Sequence, residues 1–371
     1  MTDFVVIGGG IAGVSAAANL APHGSVALLE SERSLAFHTT GRSAALFIVN
    51  YGGPGSRPLA HASRGFLENP PEYAADSPLL TGRGALWVAR PEDIGELARL
   101  AREGAESGAD SDELSPEEVM RLVPIMRPEH LGGGLYEETA RDIDVAGLHQ
   151  AFVRVLRRHG GEIHLDAPVK AIERKGSGWL IETPNQSLHA DAIVNAAGAW
   201  GDEVASLAGV VPIGLQPMRR TAFMVPGSSD FESFPMVVSV GHDYYFRPDG
   251  VQLLCSLSEE EPCHPCDPKP RMEDVALAIE RINEATTLDI RSVNSQWTGL
   301  RTFAPDRDLV IGEDPTAPGF FWLVGQGGTG IMTSPGYGKL VASQVIGEDL
   351  PEDLRSAGVN PDITSPARFR S

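Results

Sequence analysis

The first 30 residues contain the pattern that most restricts the fold of this chain: an apolar strand, a glycine-rich turn, a helix and a second apolar strand that ends in an acid. Residues 4–7 (FVVI) are typical of a buried parallel strand. Small, helix-forming residues at 14–20 follow the glycines, and residues 26–29 form the second strand, which Glu30 closes. The pattern predicts a βαβ unit at the start of an α/β protein.

The glycines of this unit have the GxGxxG spacing of a dinucleotide site. Gly8 permits a tight turn, Gly10 lets the backbone approach a pyrophosphate, and Gly13 allows close packing of helix on strand. The helix N-terminus offers free N–H groups to phosphate. Glu30 is placed to accept hydrogen bonds from ribose hydroxyls, which favours an adenosine without a 2′-phosphate. NAD and FAD both fit this unit.

The segment after the second strand is basic and rich in hydroxyl groups. Residues 37–45 have the sequence FHTTGRSAA, which includes Arg42. Such donors suit a pyrophosphate. A surface ion pair is the other common fate of an arginine, and the sequence leaves both open for Arg42.

Composition excludes several classes of function. The 371 residues include 50 acidic and 30 basic side chains, a formal charge of −20, so nucleic acid and anionic membranes are poor partners. An anionic substrate must be held by local positive groups. No apolar run approaches the ~20 residues of a membrane span, and the apolar N-terminus lacks the features of a signal peptide. We therefore expect a cytoplasmic protein.

The rest of the chain predicts two interleaved domains. Helical spacing occurs at 92–106, 115–123 and 145–159, with a capping box formed by Ser115 and Glu118. Short strands at 162–165, 169–174 and 179–183 suggest a meander, and residues 211–299 are β-rich apart from a helix at 272–286. The expected fold class is α/β (α+β overall), a Rossmann-type dinucleotide-binding domain with an interleaved antiparallel-sheet substrate domain. The polar tail after Pro351 is expected to be peripheral.

The domain boundaries follow the same changes of pattern. Residues 1–84, 140–210 and 300–371 are assigned to the discontinuous cofactor domain, and residues 85–139 and 211–299 to the substrate domain.

The three cysteines do not form a convincing site. Cys263 and Cys266 have CxxC spacing, but they lie among prolines in a predicted loop, and Cys255 is the only other cysteine. A zinc site needs further ligands at suitable spacing, and a redox dithiol normally opens a helix. We expect no metal site.

Four stretches occur in an order that resembles the D-amino acid oxidase family of flavoproteins, which includes glycine oxidase, sarcosine oxidase and D-amino acid dehydrogenases. They are residues 1–30, 39–43, 195–200 and 325–333. Within that family the chain is most similar to the bacterial FAD-dependent D-arginine dehydrogenases, on the stretches 40–45, 214–217 with 219–220, 284–288 and 299–301. The resemblance covers nearly the whole chain.

The resemblance implies a non-covalent FAD, because no cysteine follows Cys266 to attach the flavin as in sarcosine-type members. The ADP half would be held by Gly8, Gly10, Ile11, Ala12, Gly13, Glu30 and Ser31. The pyrophosphate and isoalloxazine would be lined by His38, Thr39, Thr40, Gly41, Arg42, Ser43, Ala44, Ala45 and Leu46. The remaining implied contacts are Val169 at the adenine, Ala197, Gly198 and Trp200, Arg301, and Gly327, Gly328, Thr329, Gly330, Ile331 and Met332.

The resemblance also implies a substrate clamp. Arg301 matches the family's carboxylate-binding arginine, a role that suits a bidentate guanidinium. Arg220 matches a second positive group of the arginine dehydrogenases. Tyr245 and Tyr51 match hydroxyls that close the pocket. These four residues are the implied catalytic set.

The substrate pocket departs from the arginine dehydrogenases. The acid that grips the substrate guanidinium is matched by Ala85, and two polar positions are matched by Leu46 and Ile48. A buried guanidinium without a carboxylate partner costs several kcal/mol, so we expect D-arginine to be a poor substrate. The expected pocket consists of Leu46, Ile48, Tyr51, Ala85, Met236, Val238, Tyr245 and Gly328.

The implied reaction is oxidative deamination of an apolar D-amino acid. A hydride would pass from Cα to flavin N5, and the released imine would hydrolyse to a 2-oxo acid. The electron acceptor and any catalytic base stay open. Alternatives are a glycine or secondary-amine (sarcosine- or proline-like) oxidase, a biosynthetic tailoring enzyme, and a protein that keeps FAD for structure alone. An NAD-dependent dehydrogenase would leave the glycine-rich element at 327–330 unexplained.

Overall fold

The computed structural model describes residues 2–49, 51–106 and 110–370. Within these ranges the helices α1 to α10 are Ile11–Leu20, Arg57–Glu68, Ile94–Glu106, Pro116–Leu122, Val145–Arg158, Gly201–Leu207, Met272–Ala285, Ser334–Ile346, Glu352–Ser356 and Pro361–Thr364. The strands β1 to β10 are Thr2–Ile7, Val26–Leu29, Leu46–Phe47, Leu80–Gly82, Ala85–Ala89, Asp112–Leu114, Gly133–Glu137, Arg141–Ile143, Glu162–His164 and Ala171–Lys175. The strands β11 to β20 are Gly178–Glu182, Ser187–Asn195, Gln216–Pro226, Met236–Ser239, Tyr245–Asp249, Gln252–Ser256, Glu261–Pro262, Ser295–Phe303, Val310–Glu313 and Phe320–Val324.

The first sheet is built around the N-terminal βαβ unit. Strand β1 lies between β2 and β12 and is parallel to both, and β20 is parallel to β12. Both faces of β1 are covered, so Val5 and Val6 are each fully buried in a different core cluster. Helices α1, α5 and α8 supply buried residues to the cluster on one face. The predicted βαβ unit is therefore present.

The meander predicted over residues 162–183 is partly wrong. Strands β10, β11 and β12 do form an antiparallel meander, but β9 pairs in parallel with β2 at the opposite edge of the sheet. The reason lies in α5, which precedes β9 and supplies the kind of crossover that a parallel neighbour requires.

The second sheet has nine strands, and its longest pair is β13 with β18. The two strands are antiparallel over nine positions, from Gln216 opposite Phe303 to Met224 opposite Ser295. Alternate residues of β13 point to opposite faces. Phe223 is buried with residues of α7, whereas Ala222 belongs to a different cluster on the other face. That other face forms part of the cavity described below.

A small third sheet of β3, β8 and β4 completes the strand layers. The first sheet contains strands from residues 2–29, 162–195 and 310–324, and the second contains strands from 85–137 and 216–303. Strand β18 runs through the predicted domain boundary at residue 300. The domain boundaries themselves stay a prediction.

The C-terminal tail is not peripheral, contrary to the expectation from its polar composition. Leu354 is fully buried in the main core cluster, which also includes Val359. Arg370 Nη2 lies 2.7 Å from Oδ2 of the fully buried Asp314. Two apolar anchors and a buried ion pair therefore hold a segment whose average composition is polar.

Two further predictions can be compared with the described residues. The capping box at Ser115 and Glu118 is present at the start of α4. All three cysteines are free thiols, Cys255 being buried in β16. No cluster of potential metal ligands occurs in the described ranges, and none of the helices described there is long and apolar enough to cross a membrane.

Candidate active site

A large cavity, with a volume of about 1040 Å³, extends from the glycine turn of the first sheet to the open face of the second. Nearly all predicted site residues line it. Three do not: Gly13 and Gly41, which pack beneath the wall, and Ala85, which is fully buried. The volume is at the upper end of the range found for cofactor and ligand pockets.

The glycine turn has no room for side chains. Gly8 has φ +112°, and a Cβ placed on it would lie 2.4 Å from the Ala196 carbonyl oxygen. A Cβ on Gly13 would lie 1.8 Å from the Gly8 carbonyl oxygen. The turn therefore depends on glycine at both positions, for its backbone conformation at Gly8 and for helix–strand contact at Gly13.

Hydrogen bonds fix the turn from two sides. The Gly9 N–H donates to Glu30 Oε2 at 2.7 Å, and the Ile11 N–H donates to Thr40 Oγ1 at 3.0 Å. The first-turn N–H groups of a helix have no partner inside the helix. After Thr40 has taken one of them, the remaining N–H groups of this turn are available to an anionic ligand such as a pyrophosphate.

A buried histidine beneath the turn was not predicted from the sequence. His149 Nε2 on α5 donates to the Gly9 carbonyl oxygen at 3.0 Å. Burial lowers the pKa of His149, although this hydrogen bond and Glu30 oppose the shift. The bond requires a proton on Nε2, which the neutral ring can supply. The apolar helical spacing of α5 gave no sign of this role.

Arg42 does not use its terminal nitrogens on the cofactor side. Its Nη1 donates to the Thr298 carbonyl oxygen at 2.8 Å, and its Nη2 pairs with Asp267 at 2.6 Å. Its own carbonyl oxygen accepts from Trp297 Nε1 at 3.0 Å. Of the two interpretations that the sequence left open, the structure has the ion pair, while the hydrogen bonds to Thr298 and Trp297 join residues 37–45 to the second sheet.

His38 is better placed to meet a ligand. Its ring lies 4.6 Å from that of Trp200, and its Nε2 is 2.9 Å from Glu32 Oε1. Its Nδ1 is buried and has no hydrogen-bond partner within the described part of the chain. An unpartnered buried ring nitrogen on the cavity wall can bond to a group that occupies the cavity.

The other implied cofactor contacts also lie on the wall. They are Gly10, Ala12, Ser31, Thr39, Ser43, Ala44, Ala45, Leu46, Val169, Ala197, Gly198, Gly327, Thr329, Gly330, Ile331 and Met332. The stretch 327–332 leads into the N-terminus of α8, at Ser334. Tyr337 Oη donates to the Gly330 carbonyl oxygen at 2.8 Å and holds this stretch in place.

The two substrate-side arginines share one face of the second sheet. Arg220 lies opposite Gly299 and Arg301 lies opposite Met218 in the β13–β18 register. Paired residues of an antiparallel sheet point to the same face, and diagonal neighbours are ~7–8 Å apart. The backbone therefore brings two positive side chains to one end of the cavity.

Four arginines line the cavity, and they differ in their partners. Arg42 pairs with Asp267, and both Arg220 and Arg307 pair with Glu260. Arg301 has no ion-pair or hydrogen-bond partner among residues 2–49, 51–106 and 110–370.

The guanidinium of Arg301 and the hydroxyl of Tyr51 both lie close to Gly328. A Cβ placed on Gly328 would lie 3.3 Å from Arg301 Nη1 and 2.9 Å from Tyr51 Oη. Because Gly328 has no side chain, these two groups face a shared space. A guanidinium and a phenol at such a point can bind one carboxylate together.

Arg220 is held by a turn of the second sheet rather than left free. Its Nε donates to the Glu259 carbonyl oxygen at 2.8 Å, its Nη1 to Ser258 Oγ at 3.4 Å, and its Nη2 to Glu260 Oε1 at 3.3 Å. Burial, followed by the charge of Arg301, lowers the pKa of Arg220. The turn at 258–260 was not predicted to belong to the site.

The end of the cavity that contains Arg220 and Arg301, called the substrate end, is otherwise mostly apolar. Leu46, Ile48, Ala222, Met236 and Val238 line it, together with Tyr245. Ala85 was predicted to line the pocket, but it is fully buried in a cluster with Leu46 and Ile48. Leu46, Ile48 and Met236 pack around Ala85, so these larger side chains form the surface and Ala85 does not.

A second histidine lies at the outer part of this end. His242 has φ +53° on the turn between β14 and β15, and its ring centre is 6.0 Å from that of Trp87. Although part of the ring reaches solvent, surrounding protein removes enough water to lower the pKa of His242, and Arg220 lowers it further. A lone turn histidine has no sequence signal that could have identified it.

The family of the chain is established by comparison. The model of the DAO family, described as FAD dependent oxidoreductase, matches residues 3–344. The chain therefore belongs to this family of FAD-dependent oxidoreductases, and the predicted cofactor FAD and α/β fold class are confirmed.

The named relatives share about a quarter of the aligned residues with this chain. The chain is 28% identical to human mitochondrial sarcosine dehydrogenase over 368 residues, covering 93% of this chain and 39% of that protein. It is 25% identical to human mitochondrial dimethylglycine dehydrogenase over 380 residues, covering 95% of this chain and 43% of that protein. The chain thus spans about two fifths of the length of these relatives.

Solved structures show the same fold at low identity. L-proline dehydrogenase from P. horikoshii superposes with a TM-score of 0.86 at 20% identity, covering 100% of this chain and 98% of that one. Glycine oxidase from Geobacillus kaustophilus superposes with a TM-score of 0.85 at 21% identity, covering 97% and 98%.

The residues of the cavity fit FAD. The side-chain-free glycine turn leaves room for a pyrophosphate, and the first-turn N–H groups of α1 can donate to it. Glu30 and His38 line the same cavity. Together with the stretch 327–332, these groups would hold the cofactor.

Proposed function

We propose that this FAD-dependent oxidoreductase oxidises the carbon–nitrogen bond of a small amino acid whose carboxylate is held by Arg301. The observation behind the proposal is the unpaired guanidinium of Arg301 in a cavity whose other three arginines have acidic partners within the described ranges. A partly desolvated guanidinium without a counterion is a receptor for a carboxylate, which it binds in bidentate geometry. FAD, when bound, supplies the two-electron oxidation.

The chain's own residues would orient the substrate. Arg301 and Tyr51 would fix the carboxylate above Gly328, and Tyr245 would close the opposite side. This contact removes rotational freedom and places the amine-bearing carbon at one point of the cavity, a form of catalysis by positioning. The lowered pKa of His242 favours its neutral form, so this ring adds no charge near the substrate amine.

The apolar wall supports a substrate with an apolar side chain. Leu46, Ile48, Met236 and Val238 offer no partner for a guanidinium, and Glu260 is already paired with Arg220 and Arg307. We therefore propose an apolar D-amino acid rather than D-arginine. The closeness to D-arginine dehydrogenases stays a prediction from sequence motifs.

A second candidate substrate is a secondary or tertiary amine, such as an N-methylated glycine or a cyclic imino acid. The named activities of the similar proteins, sarcosine, dimethylglycine and L-proline dehydrogenases, favour it. Both candidates need the same carboxylate contact at Arg301. They differ in whether the apolar wall receives a side chain on Cα or a substituent on nitrogen.

The test is anaerobic reduction of the bound flavin, which is measured as the loss of its visible absorption. The panel consists of D- and L-forms of alanine, valine and phenylalanine, D-arginine, glycine, sarcosine, dimethylglycine and L-proline. Fast reduction by apolar D-amino acids, with D-arginine slow, supports the first candidate. Faster reduction by the N-methyl compounds or proline supports the second. Reduction by D-arginine above all others would contradict the apolar-wall argument.

A further inference from the structure

The two cations of the substrate end have opposite surroundings, although they are diagonal neighbours on one sheet face. Arg301 is free of partners within the described residues. Each of the three nitrogens of the Arg220 guanidinium donates one hydrogen bond to one of three consecutive residues of the turn after β16. The site therefore holds two guanidinium groups, but only one is available to an anion.

Glu260 is the residue that neutralises the second cation. Its Oε1 lies 3.3 Å from Arg220 Nη2, and the side chains are 33% and 10% exposed, respectively. A pair in which one partner is this deeply buried is screened less than a surface pair. Glu260 also lines the cavity, so a negative charge lies at the wall next to Arg220.

A second arginine fixes Glu260 in this position. Its Oε2 lies 2.8 Å from Arg307 Nη2, and the Arg307 guanidinium lies 3.9 Å above the ring centre of Phe303. Phe303 is itself a cavity residue. Both carboxylate oxygens are thus committed to arginines, which restricts rotation of Glu260 away from Arg220.

We propose that Glu260 is a specificity-determining residue that limits the site to amino monocarboxylates. The inference rests on the proposed function, because it assumes that Arg301 binds the substrate carboxylate. A second carboxylate on the substrate would approach Arg220, which lies ~7–8 Å away on the same face. There it would meet a cation that is already paired and the negative charge of Glu260.

The prediction for Glu260→Gln follows from charge. The amide keeps the size of the side chain but removes its charge, so Arg220 becomes available to a second carboxylate. One new charge-assisted hydrogen bond corresponds to about tenfold in affinity. We expect dicarboxylates to bind about tenfold more tightly, while monocarboxylates change by less than about threefold, since their contact is with Arg301.

The experiment is isothermal titration of the FAD-loaded protein with propionate, malonate and succinate, which needs no turnover. The matched control is Glu261→Gln, since Glu261 is the adjacent acid and pairs with Arg271 outside the cavity wall. The expected result is a tenfold gain in malonate or succinate affinity in E260Q and none in E261Q. Unchanged ratios of dicarboxylate to monocarboxylate affinity in E260Q would overturn the inference.

Two further variants separate charge from loosening of the turn. Arg307→Gln removes the second arginine that holds Glu260 but leaves the Arg220–Glu260 pair. The ratio of dicarboxylate to monocarboxylate affinity should therefore stay within about twofold of the wild-type ratio. A gain equal to that of E260Q would overturn the inference. If E260Q does not retain FAD, Arg220→Gln is the substitute. It removes one of the two cations that neutralise Glu260 and leaves only Arg307, so malonate binding should weaken more than propionate binding, and equal effects on the two would contradict the proposal.

This titration and the flavin-reduction test together separate the inference from the proposed function. If no amine reduces the flavin but E260Q gains dicarboxylate affinity, the proposed activity fails while the role of Glu260 stands. If amines are oxidised but E260Q shows no gain, the role of Glu260 fails alone.

Discussion

The two ends of the cavity are built in different ways. At the cofactor end the backbone forms most of the surface: no side chain fits at Gly8 or Gly13 beside neighbouring carbonyl oxygens, and the first residues of α1 line the cavity. At the substrate end, side chains from separate strands face each other; the charge of Arg220 is balanced by Glu260, whereas that of Arg301 has no acidic partner among the described residues. The first end tolerates almost no added volume, whereas the second is set by charge.

The largest expected effect is at the cofactor end. Gly13→Ala would place a methyl group 1.8 Å from the Gly8 carbonyl oxygen, so the turn must move. Overpacking of a few kcal/mol predicts FAD binding about 100-fold weaker. The measurement is the dissociation constant of FAD, from titration of apoprotein followed by flavin fluorescence.

Gly65→Ala is the control for Gly13→Ala. Gly65 lies within α2, and a Cβ there meets no atom within 4 Å. We expect unchanged FAD affinity and slightly higher stability, because alanine is the better helix former. Equal FAD affinity in the two variants would show that the glycine turn is more adaptable than its contacts indicate.

The next effect in size is at the substrate end. Arg301→Gln should lower kcat/KM for the best substrate by about 100-fold, because it removes a charge-assisted carboxylate contact. FAD content should stay close to that of the wild type, with Arg301→Lys intermediate. Stopped-flow flavin reduction at varied substrate concentration measures the change. Arg291→Gln, at an exposed ion pair with Asp289, is the control and should have no effect.

The contrast between the two ends also explains what could be predicted from the sequence. The βαβ unit, the glycine turn and Glu30 lie within 30 consecutive residues, so their spacing alone specified their arrangement. The candidate site at Arg301 and Tyr51 required a family resemblance, and their approach above Gly328 depends on three distant segments.

The site residues that the sequence did not predict share one property: each is far in sequence from the residue it pairs with. Glu260 is 40 positions from Arg220, and Asp267 is 225 positions from Arg42. Pairs at such separations are fixed by sheet register and by loops, which no local pattern specifies. The same holds for β9, whose neighbour in the sheet is β2 rather than the next strand in sequence.

A smaller effect concerns pH and the support beneath the glycine turn. The pKa of His149 is lowered in the folded protein, so the unfolded chain binds more protons between the folded pKa and the ordinary value near ~6.5. Its contribution to stability is therefore present above that window and is lost as pH falls through it. As the pH is lowered from 7.5 to 5.5, the melting temperature of His149→Gln should therefore fall about 2 °C less than that of the wild type.

His242→Gln is the comparison for His149→Gln. The pKa of His242 is lowered as well, so the sign of its effect on stability is the same. It does not contact the glycine turn, however, and only His149→Gln should weaken FAD binding, by about fivefold for one lost hydrogen bond. Differential scanning fluorimetry and the FAD titration measure the two effects separately.

The smallest expected effect lies where the two ends meet. Asp267→Asn removes the carboxylate partner of Arg42, which is 16% exposed, and should lower the free energy of unfolding by roughly 0.5–1 kcal/mol. Because the terminal nitrogens of Arg42 point to Thr298 and Asp267, FAD affinity should change by less than about threefold in Arg42→Gln too. A loss of FAD affinity near that of Gly13→Ala would instead mean that Arg42 leaves Asp267 to bind the pyrophosphate. The cofactor end would then depend on side-chain charge as the substrate end does, and the contrast between them would fail.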